Sequence, residues 1–194
     1  MASICVFCGA SPGRDPKHIA LAKAVGSTLA EGNHRLVYGG GGLGLMGAVA
    51  RSAHHSGGKV LGIMPEFLAE VEQTLTEVEH ILVADMHARK IMMYDESEAF
   101  IVMPGGIGTL EETIEILSWM RLNLHEKPLV FLDNTGYWDP IIRGLYHTIE
   151  EGFAPESFVK DIHSASTAHE ALALIADKIA NPNKREPLNI HNKV

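Results

Sequence analysis

The stretch Met103-Pro-Gly-Gly-Ile-Gly-Thr-Leu-Glu-Glu-Thr-Ile-Glu115 sets three glycines, a threonine and an adjacent pair of carboxylates in a short span. An apolar run, Ala99 to Met103, leads into it and reads as a strand. Thr109 stands where a helix should start, and a helical pattern runs on from Leu110. A strand, a tight turn and a helix N-terminus outline an anion site. The first backbone N–H groups have no intrahelical partner, and glycines let the chain approach what they hold. Glu111 and Glu112 fall in the first helical turn, within reach of the loop. An anion cradle beside an acid points to a phosphate held at one end of a molecule and chemistry done at the other. Glu112 and Glu115, three apart, share a helix face. On an exposed face they would merely be solvated, a reading that loses ground beside the cradle.

Arg89-Lys90 opens another helix, just beyond a strand-like run from Glu79 to Val83. Cations gain nothing from a helix N-terminus. The ordinary account of Arg89 is a surface ion pair. The functional account puts it in the same cleft as Glu112, because a guanidinium suits phosphate and carboxylate. Gly39-Gly-Gly-Gly-Leu-Gly-Leu-Met-Gly47 contains G-x-G-x-x-G, the dinucleotide fingerprint. It follows the second strand rather than the first, and the acidic residue expected about twenty positions on would be near Glu66, beyond Pro65. Two readings stand. The glycines make only a tight turn and close packing, or Gly40, Gly41 and Gly42 meet a nucleotide through backbone alone without NAD; the second is favoured.

Cys5 and Cys8 have C-x-x-C spacing, but residues three apart on a strand point to opposite faces, and no second pair completes a zinc site. Two small buried side chains are expected. The eleven histidines show no H-E-x-x-H spacing, so no metal is assigned. A net charge of −8 argues against a broad nucleic-acid or membrane-binding surface, and no apolar run reaches a membrane span. The N-terminus passes straight into a strand without a basic region, so a soluble cytoplasmic protein is expected.

The elements that must position these residues alternate. Strands are expected at Ser3–Phe7, Arg35–Tyr38, Lys59–Ile63, Glu79–Val83, Ala99–Met103, Pro128–Leu132 and near Ile162. Helices lie between and after them: from Asp15-Pro16 to Glu31, after the first glycine run, from Asp85 to Ser97, from Leu110 to Leu124, from Gly136 to Glu151, and Thr167–Ala180. The pattern predicts an α/β fold: a single-domain, Rossmann-like, doubly wound parallel sheet of about seven strands with helices on both faces, its ligands at the strands' carboxyl ends. Residues 1–180 read as one domain. Residues 181–194 are polar and are expected to form a mobile tail. The helix from Leu110 carries an apolar arc wider than one core-facing stripe, either because it is deeply buried or because one side meets a partner chain.

Pro104-Gly-Gly-Ile-Gly-Thr-Leu-Glu-Glu112 resembles the P-G-G-x-G-T-x-x-E motif of the LOG family, the cytokinin riboside 5′-monophosphate phosphoribohydrolases. Gly39 to Gly47 and Met86-His-Ala-Arg-Lys90 resemble two further segments of it, and Cys5 to Ser11 and Leu124 to Pro128 also look familial. The resemblance covers roughly residues 3–180. Members are often labelled lysine decarboxylases, yet no lysine stands in an obvious pyridoxal phosphate setting. The resemblance implies hydrolysis of the base–ribose bond of AMP or an N6-modified AMP by a homodimer without a cofactor. It implies Arg89 and Glu112 as the essential pair. Gly106, Ile107, Gly108, Thr109, Leu110, Glu111, Lys90, Ser118 and Leu75 follow as substrate contacts, with the phosphate on the Gly105–Thr109 amides. Two rivals remain: a non-catalytic nucleotide or cofactor carrier on the same fold, and an NAD(P)-dependent oxidoreductase.

Overall fold

The computed structural model describes residues 1–69 and 71–182. Seven strands form one sheet: β1 (Ser3–Phe7), β2 (Arg35–Tyr38), β3 (Val60–Pro65), β4 (Glu79–Val83), β5 (Ala99–Val102), β6 (Leu129–Leu132) and β7 (His163–Ala165). Every pairing is parallel, and the order is β4-β3-β2-β1-β5-β6-β7. The helices are α1 (Pro16–Glu31), α2 (Gly44–His55), α3 (Glu66–Ala69), α4 (Met86–Asp95), α5 (Ile107–Arg121), α6 (Asp139–Glu150) and α7 (Ala168–Ala180), with a 3-10 helix at Glu156–Asp161. The expected α/β sheet is observed.

Two cores flank the sheet. Ile4, Val6, Leu36 and Ile101 turn toward α1, α2 and α7. Cys5, Phe7, Val37 and Phe100 turn toward α4, α5 and α6. This is why the central strands read as unbroken apolar runs: each side chain, on whichever face, meets a helix layer. Cys5 lies in one core and Cys8 in the other, both free thiols. Burial, reinforced by the Glu112 carboxylate, pushes both thiols up, so neither is a ready nucleophile.

The winding direction reverses between β1 and β5, neighbours in the sheet though far apart in sequence. Such a switch point opens a crevice beyond the strand ends. The chain leaves β1 through Gly9 and β5 through Pro104, and Gly9 N–H donates to Pro104 O at 3.0 Å, joining the two loops.

Several boundaries differ from the sequence pattern. α5 starts at Ile107, with Gly106 as N-cap, rather than at Thr109. Thr109 is therefore the third helical residue, and its carbonyl accepts from Thr113 Oγ1 at 2.6 Å. Glu111 and Glu112 move into the second turn. A glycine cap supplies no competing side chain, so the helix winds back into the loop. α2 likewise begins inside the glycine run, at Gly44, and α4 ends at Asp95 rather than at Ser97. β3 keeps Pro65 because β2 pairs with it only as far as Gly62, so on that side the ladder has ended before the residue that lacks an N–H. Asn181 caps α7; from residue 183 on, the expected tail lies outside the described residues. Among the described residues no helix is long and apolar enough to cross a membrane.

Candidate active site

Asp85 N-caps α4, accepting from Ala88 N–H at 2.8 Å, and this sets Arg89 one turn into the helix, facing the sheet. Arg89 is only 7% exposed. Its Nε donates to Ile63 O at 3.2 Å and its Nη2 to Gly39 O at 3.0 Å. Both acceptors are carbonyls at the carboxyl side of the sheet. A Cβ at Gly39 would overlap Nη2, so only glycine at that position lets the guanidinium dock. The fork is thereby fixed by backbone, and Nη1 is left to face α5.

Glu112 projects from α5 toward it, with Oε1 3.5 Å from Arg89 Nη1. This is longer than a charge-assisted hydrogen bond, roughly 2.8 Å. Arg89 is held by its carbonyls, whereas Glu112 is held loosely. Glu112 is 9% exposed. Burial pushes its carboxyl up to about 7, the adjacent Arg89 opposing the rise. A carboxyl so placed, at a crevice, is poised to change charge near neutral pH. Glu111 and Glu115 point elsewhere. Both meet Lys90 Nζ, at 2.5 Å and 3.0 Å, in an ion-pair cluster joining α4 to α5 beside the site.

The two glycine loops have different fates. In α2 the first amides are occupied: Leu45 N–H and Met46 N–H donate to Gly9 O at 3.0 Å and 3.3 Å. Gly42 and Gly44 pack so tightly that a Cβ would strike Gln73 O and Ala10 O, and Gly42 O accepts from Arg51 Nη1 and Nη2 at 2.8 Å each. In α5 no side chain caps the N-terminus. A Cβ at Gly105 would strike Thr109 Oγ1, whereas Gly106 and Gly108 face open space. Packing explains the first of these glycines. It does not explain the other two, whose bare backbone is open to a ligand.

Arg89, Glu112 and Gly105 through Thr109 line one cavity of about 780 Å³ at the β1–β5 crevice, a volume suited to a small organic ligand. Leu110, Glu111, Lys90, Gly40, Gly41 and Gly42 lie outside its wall, although Gly39 lines it. Leu75 is buried in the core that includes α2. Ser118 is exposed, two turns along α5 from Glu111. Among the described residues no three His, Cys, Asp or Glu side chains converge as metal ligands.

The sequence reading missed other wall residues: His18, Arg14, Met46, Glu72, Met86 and Tyr137. Most of them belong to segments just beyond a strand's carboxyl end or to the helices that follow. Strand order turns that local signal into a shared site. Tyr137 follows β6, and its hydroxyl donates to Gly105 O at 2.5 Å.

Residues 46–175 match the family model described as "Possible lysine decarboxylase". A cytokinin riboside 5′-monophosphate phosphoribohydrolase of Rhodococcoides fascians is 44% identical over 176 residues, spanning 86% of this chain and 88% of that protein. One from Arabidopsis thaliana is 42% identical over 170 residues, spanning 86% and 77%. Among solved structures, the molybdenum cofactor binding protein of Rippkaea orientalis superposes with a TM-score of 0.70 at 20% identity, covering 92% of this chain and 97% of that one. At that identity the likeness concerns the fold.

Proposed function

The chain belongs to the LOG family of cytokinin riboside 5′-monophosphate phosphoribohydrolases, and from that premise we propose that it hydrolyses the base–ribose bond of AMP or an N6-substituted AMP, releasing the free base and ribose 5-phosphate. The observation that carries this reading is the buried Arg89–Glu112 pair in the same cavity as the uncapped N-terminus of α5.

The 5′-phosphate lies on the amides of Gly105 through Thr109, whose N–H groups and helix dipole favour a dianion. Glu112 comes six residues after Gly106, roughly 9 Å up the helix axis, which leaves room for a phosphate and a pentose between amides and carboxylate. As the C1′–N9 bond breaks, positive charge develops on the ribose, as in glycoside hydrolysis. Glu112, ionised, stabilises that charge and directs water to C1′ by accepting its proton. Arg89 holds Glu112 toward the substrate and offers Nη1 to the departing base. Gripping the phosphate fixes C1′ against the carboxylate, so binding remote from the bond accelerates its cleavage. The same grip requires a monophosphate: AMP is cleaved and adenosine is not. Chromatography of free adenine tests this. Equal rates on the two substrates refute the phosphate anchor, and no release from AMP or its N6-prenylated analogue favours a carrier.

The assembly is a homodimer in this reading. α5 leaves Ile107 and Ile114 exposed, with Leu122 and Leu124 just beyond its end, an apolar stripe of the kind a partner chain covers. Glu111 and Ser118 stand along that side, so any contact they make with substrate is completed across the interface. Leu75, Lys90, Leu110 and Gly40 to Gly42 support the cavity from behind its wall. Analytical ultracentrifugation reads the assembly; a monomer at micromolar concentration refutes this part.

A further inference from the structure

We propose that His18 is a specificity-determining contact for the substrate's phosphate, an Nε2–H donor standing across the cavity from the first amides of α5. This deepens the hydrolase reading and rests on it. His18 is 8% exposed and lines the same cavity as Gly105, Thr109 and Glu112. Its Nδ1 is sealed from solvent with no hydrogen-bond partner. A sealed lone pair costs less than a sealed N–H, so the ring proton belongs on Nε2. That nitrogen is the one left to the cavity, and a neutral imidazole then presents a donor there.

The ring is held in place by its neighbours. Tyr137 meets it edge-on, ring centroids 6.0 Å apart, while the Tyr137 hydroxyl bonds Gly105 O. One tyrosine thus ties the imidazole to the glycine loop. On another side Gly13, at φ +73°, brings the loop after β1 against the ring; a Cβ there would lie 2.9 Å from His18 Cδ2. Arg14 lines this end of the cavity too and adds positive charge. Through Tyr137 the ring lies by Gly105, at the start of the glycine turn, whereas Glu112 stands in the second turn of α5. In this reading a phosphate on the first α5 amides meets His18 while C1′ stays beside Glu112. A buried polar ring that satisfies neither nitrogen within the protein lowers stability, which is the pattern of a group kept for a ligand.

The test compares His18→Phe, which keeps the ring packing but removes the donor, with His18→Gln, which restores a donor. For AMP, His18→Phe is expected to raise KM about tenfold with kcat nearly unchanged, the loss of one hydrogen bond to an anion. Inhibition by ribose 5-phosphate weakens in parallel, and His18→Gln recovers most of both. Unchanged KM in His18→Phe, or equal impairment of both variants at native thermal stability, overturns the proposal. Calorimetric titration of each protein with ribose 5-phosphate separates the two claims. Wild-type binding lost in His18→Phe without any AMP turnover upholds the contact and refutes the hydrolase; equal binding by wild type and His18→Phe refutes the contact even if AMP is cleaved.

Discussion

Replacing Glu112 by glutamine should separate what the carboxylate does for catalysis from what it does to the fold. Its carboxyl is pushed by burial from an ordinary 4.5 to about 7. A carboxyl raised in the folded state keeps its proton at pH values where the unfolded chain has released it. The native protein is therefore favoured by this group at low pH and loses that advantage as pH rises through about 7. The difference between the protonated and ionised limits is roughly 3 kcal/mol, of which roughly 2.5 falls between about pH 5 and about pH 8.5. Glutamine mimics the protonated acid at every pH. Relative to wild type, Glu112→Gln should gain roughly 2.5 kcal/mol over that interval, a change of about 1 M in the urea midpoint difference. Paired urea titrations at the two pH values, at equal protein concentration, measure it. The variant should bind AMP and lose turnover, because only the ionised acid stabilises the sugar cation. A midpoint difference independent of pH would show that Glu112 ionises as an ordinary surface acid. Retained turnover would remove it from the mechanism.

Four further outcomes follow from the same geometry. With Glu112 active as carboxylate, kcat/KM for AMP should rise with pH and level off above about 7; a profile flat from about pH 5 to 8 contradicts this. Arg89→Met should push that midpoint higher, since Arg89 is the principal group lowering the Glu112 carboxyl, and should cut turnover by about a hundredfold or more; an unmoved midpoint would mean the pair does not couple. Gly108→Ala meets nothing in the protein and should raise helix stability by up to about 1 kcal/mol while weakening AMP binding. Gly105→Ala collides with Thr109 and should destabilise. Calorimetry and thermal melts read both, and unaltered AMP affinity in Gly108→Ala would take the α5 N-terminus out of the site.

Much of the fold was legible from residue order. β1, β2 and β4 fall where apolar runs and turn residues put them, and α1 and α7 follow their caps Asp15 and Thr167, because strand burial and helix capping are local effects. The P-G-G-x-G-T-x-x-E pattern likewise marks a turn, a helix start and an acid without reference to the rest of the chain. What the tertiary structure decided is everything that depends on neighbours distant in sequence. Pairing of β1 with β5 carries the Gly9 and Pro104 loops together and, with β6 alongside, brings His18 and Tyr137 to the glycine turn. Two glycine runs look alike on paper, but the carbonyl of Gly9 occupies the amides of α2 and leaves those of α5 free. Residue order leaves Arg89 either a surface cation or a cleft residue, and Ile63 O and Gly39 O decide between them by drawing it inward. Glu112 acquires its raised carboxyl only when the fold removes water from around it, a property of the surrounding volume that no stretch of residues carries alone.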